Sequence, residues 1–390
     1  MISYSKQSIS KQDQNAVKKV LKSDFLTQGP KVPKFESEIK KITKSKYAIA
    51  VNSATSALHI ACMALNLKKN DWLWTSANSF VASSNCALYC GAKVDLLDIN
   101  LDDYNIDIDK LKTKLERTKK NKRPKILVVV HFGGKPCDME EIYKLSVKYN
   151  FKIIEDASHA LGSKFKKRNI GDCFYSDISV FSFHPVKNIT TGEGGILTTN
   201  NKKISEISKV LRTHGINKDK KKFQFKNNSP WYFEQILLGY NYRMNDIEAA
   251  LGISQLKRLK FFLKKRNQIS KIYTENLKSL NLFLPKQNKN CYNSYHLYPI
   301  RIKDNKTIKF RKSLYDFLKE KKIFLNLHYI PIYRHPYYKK KGFKKENFPN
   351  CEKYYNSALS LPIYPDLKQK NLFKIIRYIK IFLDKQLRTN

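Results

Sequence analysis

Residues 178–199 read ISVFSFHPVKNITTGEGGILTT. Two apolar runs flank a turn that holds one lysine, Lys187, and three glycines, Gly192, Gly194 and Gly195. The run before the turn reads as a buried strand running out into a loop, and the run after it as a second strand. Most other lysines of the chain sit in polar stretches such as KKNKRPK or KDKKKF. Lys187 is therefore either one more lysine on a loop or a lysine held in a pocket so that its amine can react. The glycines allow a sharp turn and a close backbone approach.

The pattern around this turn decides the fold class. From about residue 35 to residue 215, apolar runs alternate with amphipathic ones. YAIAVN, DWLWTS, KVDLLDI, PKILVVVHF, FKIIEDAS, DISVFSF and GGILTT read as strands. KFESEIKKIT, SATSALHIACMALNL, FVASSNCALYC, DMEEIYKLSVKYN and KKISEISKVLRTHG read as helices. Such alternation predicts an α/β domain with a mostly parallel sheet. ILVVV and FKIIE are continuously apolar, as strands covered on both faces should be. Residues 216–235 read as a polar excursion, and 244–277 as one long helix or two. A second α/β region follows, with YHLYPIRI and IFLNLHYI as strands. The expected division is a large domain over residues 1–255 and a smaller one over 256–390.

Composition narrows the function classes. The chain has 390 residues, 42% of them hydrophobic, and a formal net charge of +42. Such charge suits nucleic acid or an anionic ligand. However, the lysines are spread through every region rather than gathered in a tail or stripe, and no helix-turn-helix or finger pattern accompanies them. A basic nucleic-acid-binding regulator is thus the distant alternative. No apolar run approaches membrane-spanning length, and MISYSKQSISKQDQ lacks the apolar centre of a signal peptide. The 7 cysteines form no CxxC pair or Cys/His cluster, which points to a reducing, cytoplasmic compartment and away from a zinc site or disulfide framework.

Candidate chemistry gathers at the expected carboxyl ends of the strands, where open α/β sheets bind ligands. VNSATSAL puts Asn52, Ser53, Thr55 and Ser56 between a strand and a helix, either an anion seat or an ordinary helix cap. FKIIEDASHALGS ends a strand with Glu155 and Asp156 and adds His159. These are functional groups, or a cap and an ion pair. Ser182 shares its strand with the approach to Lys187. A phosphate seat, a carboxylate, a hydroxyl and a protected lysine would all be used by a carbonyl cofactor that carries a phosphate. Pyridoxal 5'-phosphate is the obvious one.

In order along the chain, FLTQGPKVPKFE, AVNSATSALHIA, EDASHALGS, SFHPVKNITTGEGG and GYNYRMNDIEAALG resemble motifs of the DegT/DnrJ/EryC1/StrS sugar aminotransferases. The resemblance covers nearly the whole chain. It implies the fold-type-I architecture of pyridoxal-phosphate-dependent transferases, like aspartate aminotransferase. It implies that Lys187 is the Schiff-base lysine and that Asp156 faces the ring nitrogen. It also implies that Thr55, Ser56 and Ser182 contact phosphate, that Phe80 stacks on the ring, and that His159 stands near the phenolic oxygen. Asn241 aligns with a phosphate contact given by a neighbouring subunit, which implies a homodimer with shared active sites. Some relatives are sugar dehydratases, which replace the lysine with His; Lys187 speaks against that chemistry here. LTQGPKVPKFE, SATSALHIACMAL, SFVASSNCALYCGAKVD and YNYRMNDI look most like the pseudaminic acid branch. That likeness implies a UDP-linked 4-keto sugar as acceptor and L-glutamate as donor; another UDP- or dTDP-keto-sugar is the alternative. VVVHFGGKPC departs from the PVHFAG of many relatives.

Overall fold

The computed structural model describes residues 1–225, 227, 229–286, 289–303 and 307–387. Seven strands form one sheet: β1 Tyr47–Val51, β2 Trp72–Ser76, β3 Lys93–Leu97, β4 Ile126–Val130, β5 Lys152–Asp156, β6 Ile178–Ser182 and β7 Gly195–Thr199. Their spatial order is β1-β7-β6-β5-β4-β2-β3. β7 runs antiparallel to β1 and β6, and the other pairs are parallel.

Helices α1 Lys11–Leu21, α2 Lys31–Thr43, α3 Ala54–Ala64, α4 Ala82–Tyr89, α5 Ile108–Arg117, α6 Met139–Tyr149 and α7 Lys202–Leu211 belong to the same layered region. β4 shows why its sequence is apolar throughout. Ile126 and Val128 pack in one core with Leu58 and Ile60 of α3. Leu127 and Val129 pack in the other with Phe35 and Ile39 of α2 and Leu111 of α5. A strand covered on both faces has no position left for a polar residue.

The stretch 244–277 is two helices, α8 Asp246–Leu256 and α9 Leu259–Leu277. Beyond them β8 Leu282–Phe283, β9 Tyr298–Ile302 and β10 Ala358–Leu361 form an antiparallel sheet in that order. α10 Thr307–Glu320, α11 Pro349–Ser357 and α12 Gln369–Leu387 complete this part. Its core joins Leu314 and Ile375 to Tyr273 and Tyr298. IFLNLHYI is not a strand. Only Ile323 and Asn326 make isolated bridges, and the third strand is β10 instead. After Asn326 the chain leaves the sheet, and Leu327, His328 and Tyr329 line a cavity. Among the described residues no helix is long and apolar enough to cross a membrane.

The first residues form structure that their composition did not announce. Ile2 pairs with Ile323, and the Ile2 N–H donates to the Lys322 carbonyl at 2.8 Å. The Tyr4 carbonyl accepts from Ile363 N–H at 3.1 Å, and Ser5 Oγ–H donates to the Val186 carbonyl at 3.4 Å. Ser10 then caps α1, with a reciprocal bond from its own N–H to the Asp13 carboxylate.

Two sequence motifs meet at Asp246, which is fully buried at the start of α8. Its carboxylate accepts the N–H groups of Gly29 at 2.8 Å and Lys31 at 2.7 Å. This ties the LTQGP turn to NDIEAALG and seats α2 beside α8. Asp246→Ala strands two amide N–H groups at roughly 1–3 kcal/mol each. The expected loss is about 2–6 kcal/mol, read as a lower denaturation midpoint with an unchanged slope.

Candidate active site

The carboxyl ends of β1, β5 and β6 and the start of β7 face one cavity of about 480 Å³, a size suited to a small-molecule ligand. Gly195 organises this edge. It pairs with Val51 at the end of β1 and with Ser182 at the end of β6. A side chain at 195 would put Cβ 2.3 Å from the Ser53 carbonyl carbon and 2.4 Å from the Ala54 nitrogen. Glycine is thus required for the N-terminus of α3 to lie against β7. Ser53 caps that helix, its Oγ accepting from Ser56 N–H at 3.1 Å. The remaining first-turn N–H groups have no intrahelical acceptor, which leaves an anion seat at the cavity edge.

Lys187 lies five residues beyond the end of β6, in a turn fixed by several bonds. Its N–H donates to the His184 carbonyl at 2.9 Å, and Thr191 N–H donates to the Phe183 carbonyl at 3.0 Å. Asn188 Nδ2–H donates to the carbonyl of Leu161 at 3.0 Å. The amine faces the cavity. Burial lowers its pKa from the usual value to about 8, against a smaller upward pull from Asp156. Asp156 ends β5 and is itself buried. Ser83 Oγ–H donates to its Oδ2 at 2.6 Å, and Ser158 N–H to its Oδ1 at 3.2 Å. A carboxylate oxygen accepts more than one bond, so Asp156 keeps capacity for a cationic N–H in the cavity.

Neighbouring Glu155 points the other way, as strand alternation requires. It is buried against His131, whose Nε2 lies 2.8 Å from Oε2, and accepts Ser179 Oγ–H at 2.6 Å. Burial pushes this carboxyl up, but the bonds from His131, Ser176 and Ser179 bring it below its ordinary value. Besides the exposed His184, three buried histidines, His159, His296 and His328, line the cavity. Burial first, then the nearby Lys187 amine among other charges, holds all three below the ordinary imidazole range; His328 falls to about 3. They are neutral donors and acceptors at physiological pH.

Of the residues singled out in the sequence, Lys187, Asp156, Thr55, Phe80, His159 and Ser182 line this one cavity. Phe80 is 58% exposed on the cavity side, with its ring centroid 6.1 Å from that of Tyr329. Ser56 is buried behind the rim, with its Oγ 2.9 Å from Ser53 Oγ. Asn241 is exposed, outside the cavity of its own chain, in a bridge with Thr213. The HFGG loop takes left-handed conformations at Gly133 (φ 63°) and Gly134 (φ 94°) and so delivers Gly133 N–H to His159 Nδ1 at 3.2 Å.

The family model for the DegT/DnrJ/EryC1/StrS aminotransferases matches residues 7–380. The chain belongs to this family. It is 39% identical over 388 residues to the UDP-4-amino-4,6-dideoxy-N-acetyl-beta-L-altrosamine transaminase of Campylobacter jejuni, covering 97% of this chain and 99% of that one. Its fold matches PseC of Helicobacter pylori, an aminotransferase involved in the biosynthesis of pseudoaminic acid. The TM-score is 0.88 at 30% identity, over 98% of this chain and 99% of the other. The PLP form of Spr1654 from Streptococcus pneumoniae gives a TM-score of 0.89 at 25% identity, over 98% and 99%. This family member is a nucleotide-sugar aminotransferase with pyridoxal phosphate as its cofactor. A cavity holding an anion seat, a buried carboxylate, an exposed aromatic ring and a partly neutral lysine fits that cofactor.

Several lining residues carried little readable signal. Tyr4, Asn326, His328 and Tyr329 come from the chain's start and its last third. His296 reads in sequence as part of a strand, and Ser83 as a small helical residue. NLHYIPIYRHPYY, which holds His328 and Tyr329, resembles substrate-side loops of the family, a likeness that leaves its Tyr and His residues between substrate contact and rim packing.

The lowered pKa of Lys187 has a direct consequence. With a pKa of about 8, roughly a tenth of the amine is neutral at pH 7, against well under a thousandth for an ordinary lysine. Covalent capture of pyridoxal phosphate by the apoprotein is therefore expected to speed up about tenfold between pH 6 and 7 and to level off above about pH 9. Stopped-flow absorbance measures this, and borohydride reduction with peptide mapping assigns the adduct. A rise continuing to pH 11 would mean an ordinary, exposed lysine.

Proposed function

We propose that this enzyme transfers an amino group from L-glutamate to C4 of a UDP-linked 2-acetamido-2,6-dideoxy-4-keto-hexose of the β-L-arabino configuration. The product is UDP-4-amino-4,6-dideoxy-N-acetyl-β-L-altrosamine, an amino sugar for pseudaminic acid synthesis. The observation that carries the chemistry is Lys187, a partly neutral amine sharing a cavity with buried Asp156. The choice of sugar rests on likeness to the altrosamine transaminase and to PseC.

Pyridoxal phosphate, when bound, supplies a carbonyl that exchanges with amino groups and a ring that accepts the electrons left on a deprotonated carbon. The side chains divide the remaining work. Lys187 Nζ takes the proton from the α-carbon of glutamate and, in the second half of the cycle, delivers one to C4 of the sugar. The Asp156 carboxylate keeps a proton on the ring nitrogen. Thr55 and Ser182 would hold the phosphate at the α3 N-terminus, Ser56 would join them by turning its hydroxyl away from Ser53, and Phe80 would cover the ring. His159 stands beside the phenolic oxygen. Asn241 completes the phosphate site of a second copy, which makes the enzyme a homodimer with shared sites. Its exposure and its place outside the cavity of its own chain support this.

The reading is tested on the visible spectrum of the purified enzyme. The cofactor band is expected to fade with L-glutamate and to return with the L-arabino UDP-keto sugar, but not with D-configured UDP or dTDP analogues. Return with one of those analogues instead would reassign the sugar, and a single-chain species in solution would end the shared-site reading. Asp156→Ala is expected to slow the glutamate half-reaction by about 10²–10⁴-fold. Near-normal single-turnover rates would remove Asp156 from its role.

A further inference from the structure

Tyr329 is held at four points. Its N–H donates to Asn78 Oδ1 at 3.2 Å. Its ring lies edge-on to Phe132, with centroids 6.4 Å apart, and tilted to Phe80 at 6.1 Å. Its hydroxyl oxygen is 2.9 Å from His159 Nε2. The direction of that last bond follows from the other side of the imidazole. Gly133 N–H donates to Nδ1, so Nδ1 carries a lone pair. A neutral imidazole has one proton, and here it must sit on Nε2. Burial keeps His159 neutral at working pH. His159 therefore donates and Tyr329 accepts.

The phenol's own proton is then left over. Among the described residues its oxygen has no second hydrogen-bond partner. Tyr329 lines the cavity beside Lys187, Phe80 and Ser182. Burial, then the charge of Asp156, pushes its pKa well above the ordinary phenol value, so the hydroxyl stays protonated. The result is a rigid neutral donor in the same cavity as the reactive amine. It suits a neutral oxygen with free lone pairs.

We propose that Tyr329 donates this hydrogen bond to the ketone oxygen of the sugar, with His159 as the residue that fixes the direction of the bond. This rests on the aminotransferase reading above and adds a contact to its substrate. The competing acceptor of like chemistry is the phenolic oxygen of the cofactor.

Two measurements decide it. The first needs neither cofactor nor substrate. In apoprotein labelled with ¹⁵N-histidine, His159 is assigned among the 8 histidines by loss of its signals in His159→Gln. The signals are expected to show Nε2 protonated and Nδ1 bare. The opposite tautomer would mean that Tyr329 spends its proton on His159, and would overturn the proposal. The second uses Tyr329→Phe, which keeps the ring packing. The half-reaction with the keto sugar is expected to slow at least about tenfold, towards the 10²-fold typical of a donor lost from an enclosed site. The pH titration of the bound chromophore is expected to stay unchanged. A shift of that titration by a unit or more would make the cofactor's oxygen the acceptor and overturn the assignment to the sugar. An unchanged sugar half-reaction would reduce Tyr329 to wall packing. Fading of the band with glutamate in the same variant shows that the aminotransferase reading stands whichever way Tyr329 falls.

Discussion

At position 195 there is room for a backbone and nothing more. Gly195 is paired in register between the last residue of β1 and the last residue of β6, and the first turn of α3 presses against it. Three elements distant in sequence are thereby brought to one corner. The anion seat comes with α3, Ser182 comes with β6, and Lys187 follows in the turn that returns to β7. Asp156 arrives one strand further on, because β5 runs parallel to β6 with Asp156 opposite Val180. Any residue with a side chain at 195 would move the helix or the strand, and the four groups would separate.

The site is electrically quiet inside a highly charged protein. The chain carries +42, yet the cavity's walls hold one amine, the carboxylates of Asp156 and Glu193 and, besides exposed His184, three neutral imidazoles. Burial explains the contrast. Removing water penalises the charged form of lysine and histidine alike, and each remaining positive charge penalises the next. The lysine keeps a pKa of about 8, rather than lower, because Asp156 is close. A reactive amine at neutral pH needs this balance. The surface lysines, screened by water and salt, contribute little to it.

Much of the large sheet was legible in the sequence because doubly covered strands leave no choice of residue. ILVVV and ISVFS could scarcely be anything else. Lys187, Asp156, His159 and Ser182 were legible because each sits at or just past such a strand. IFLNLHYI misled because an apolar run that walls a cavity has the same composition as one that joins a sheet. Tyr329 and His328 were half legible, since NLHYIPIYRHPYY resembles a substrate-side loop but only the folded chain carries them to His159 and Lys187. Ser56 illustrates a finer limit. Its type and spacing suit an anion seat, yet its hydroxyl turns to the cap residue Ser53. Helix α1 was missed although Ser10 and Asp13 stand at capping-box spacing, because the amphipathic pattern after them is weak in apolar residues.

The opening residues impose an order on biosynthesis. Ile2 has its partner at Ile323, and Tyr4 meets His328 with ring centroids 5.5 Å apart. On a ribosome adding roughly 5–20 residues each second, the amino end waits about 15–60 s for those partners to exist. The sheet, the lysine turn and the anion seat belong to chain already made by then. The cavity is thus a late closure, sealed only once the segment around Ile323 and His328 has followed the sheet residues out of the ribosome.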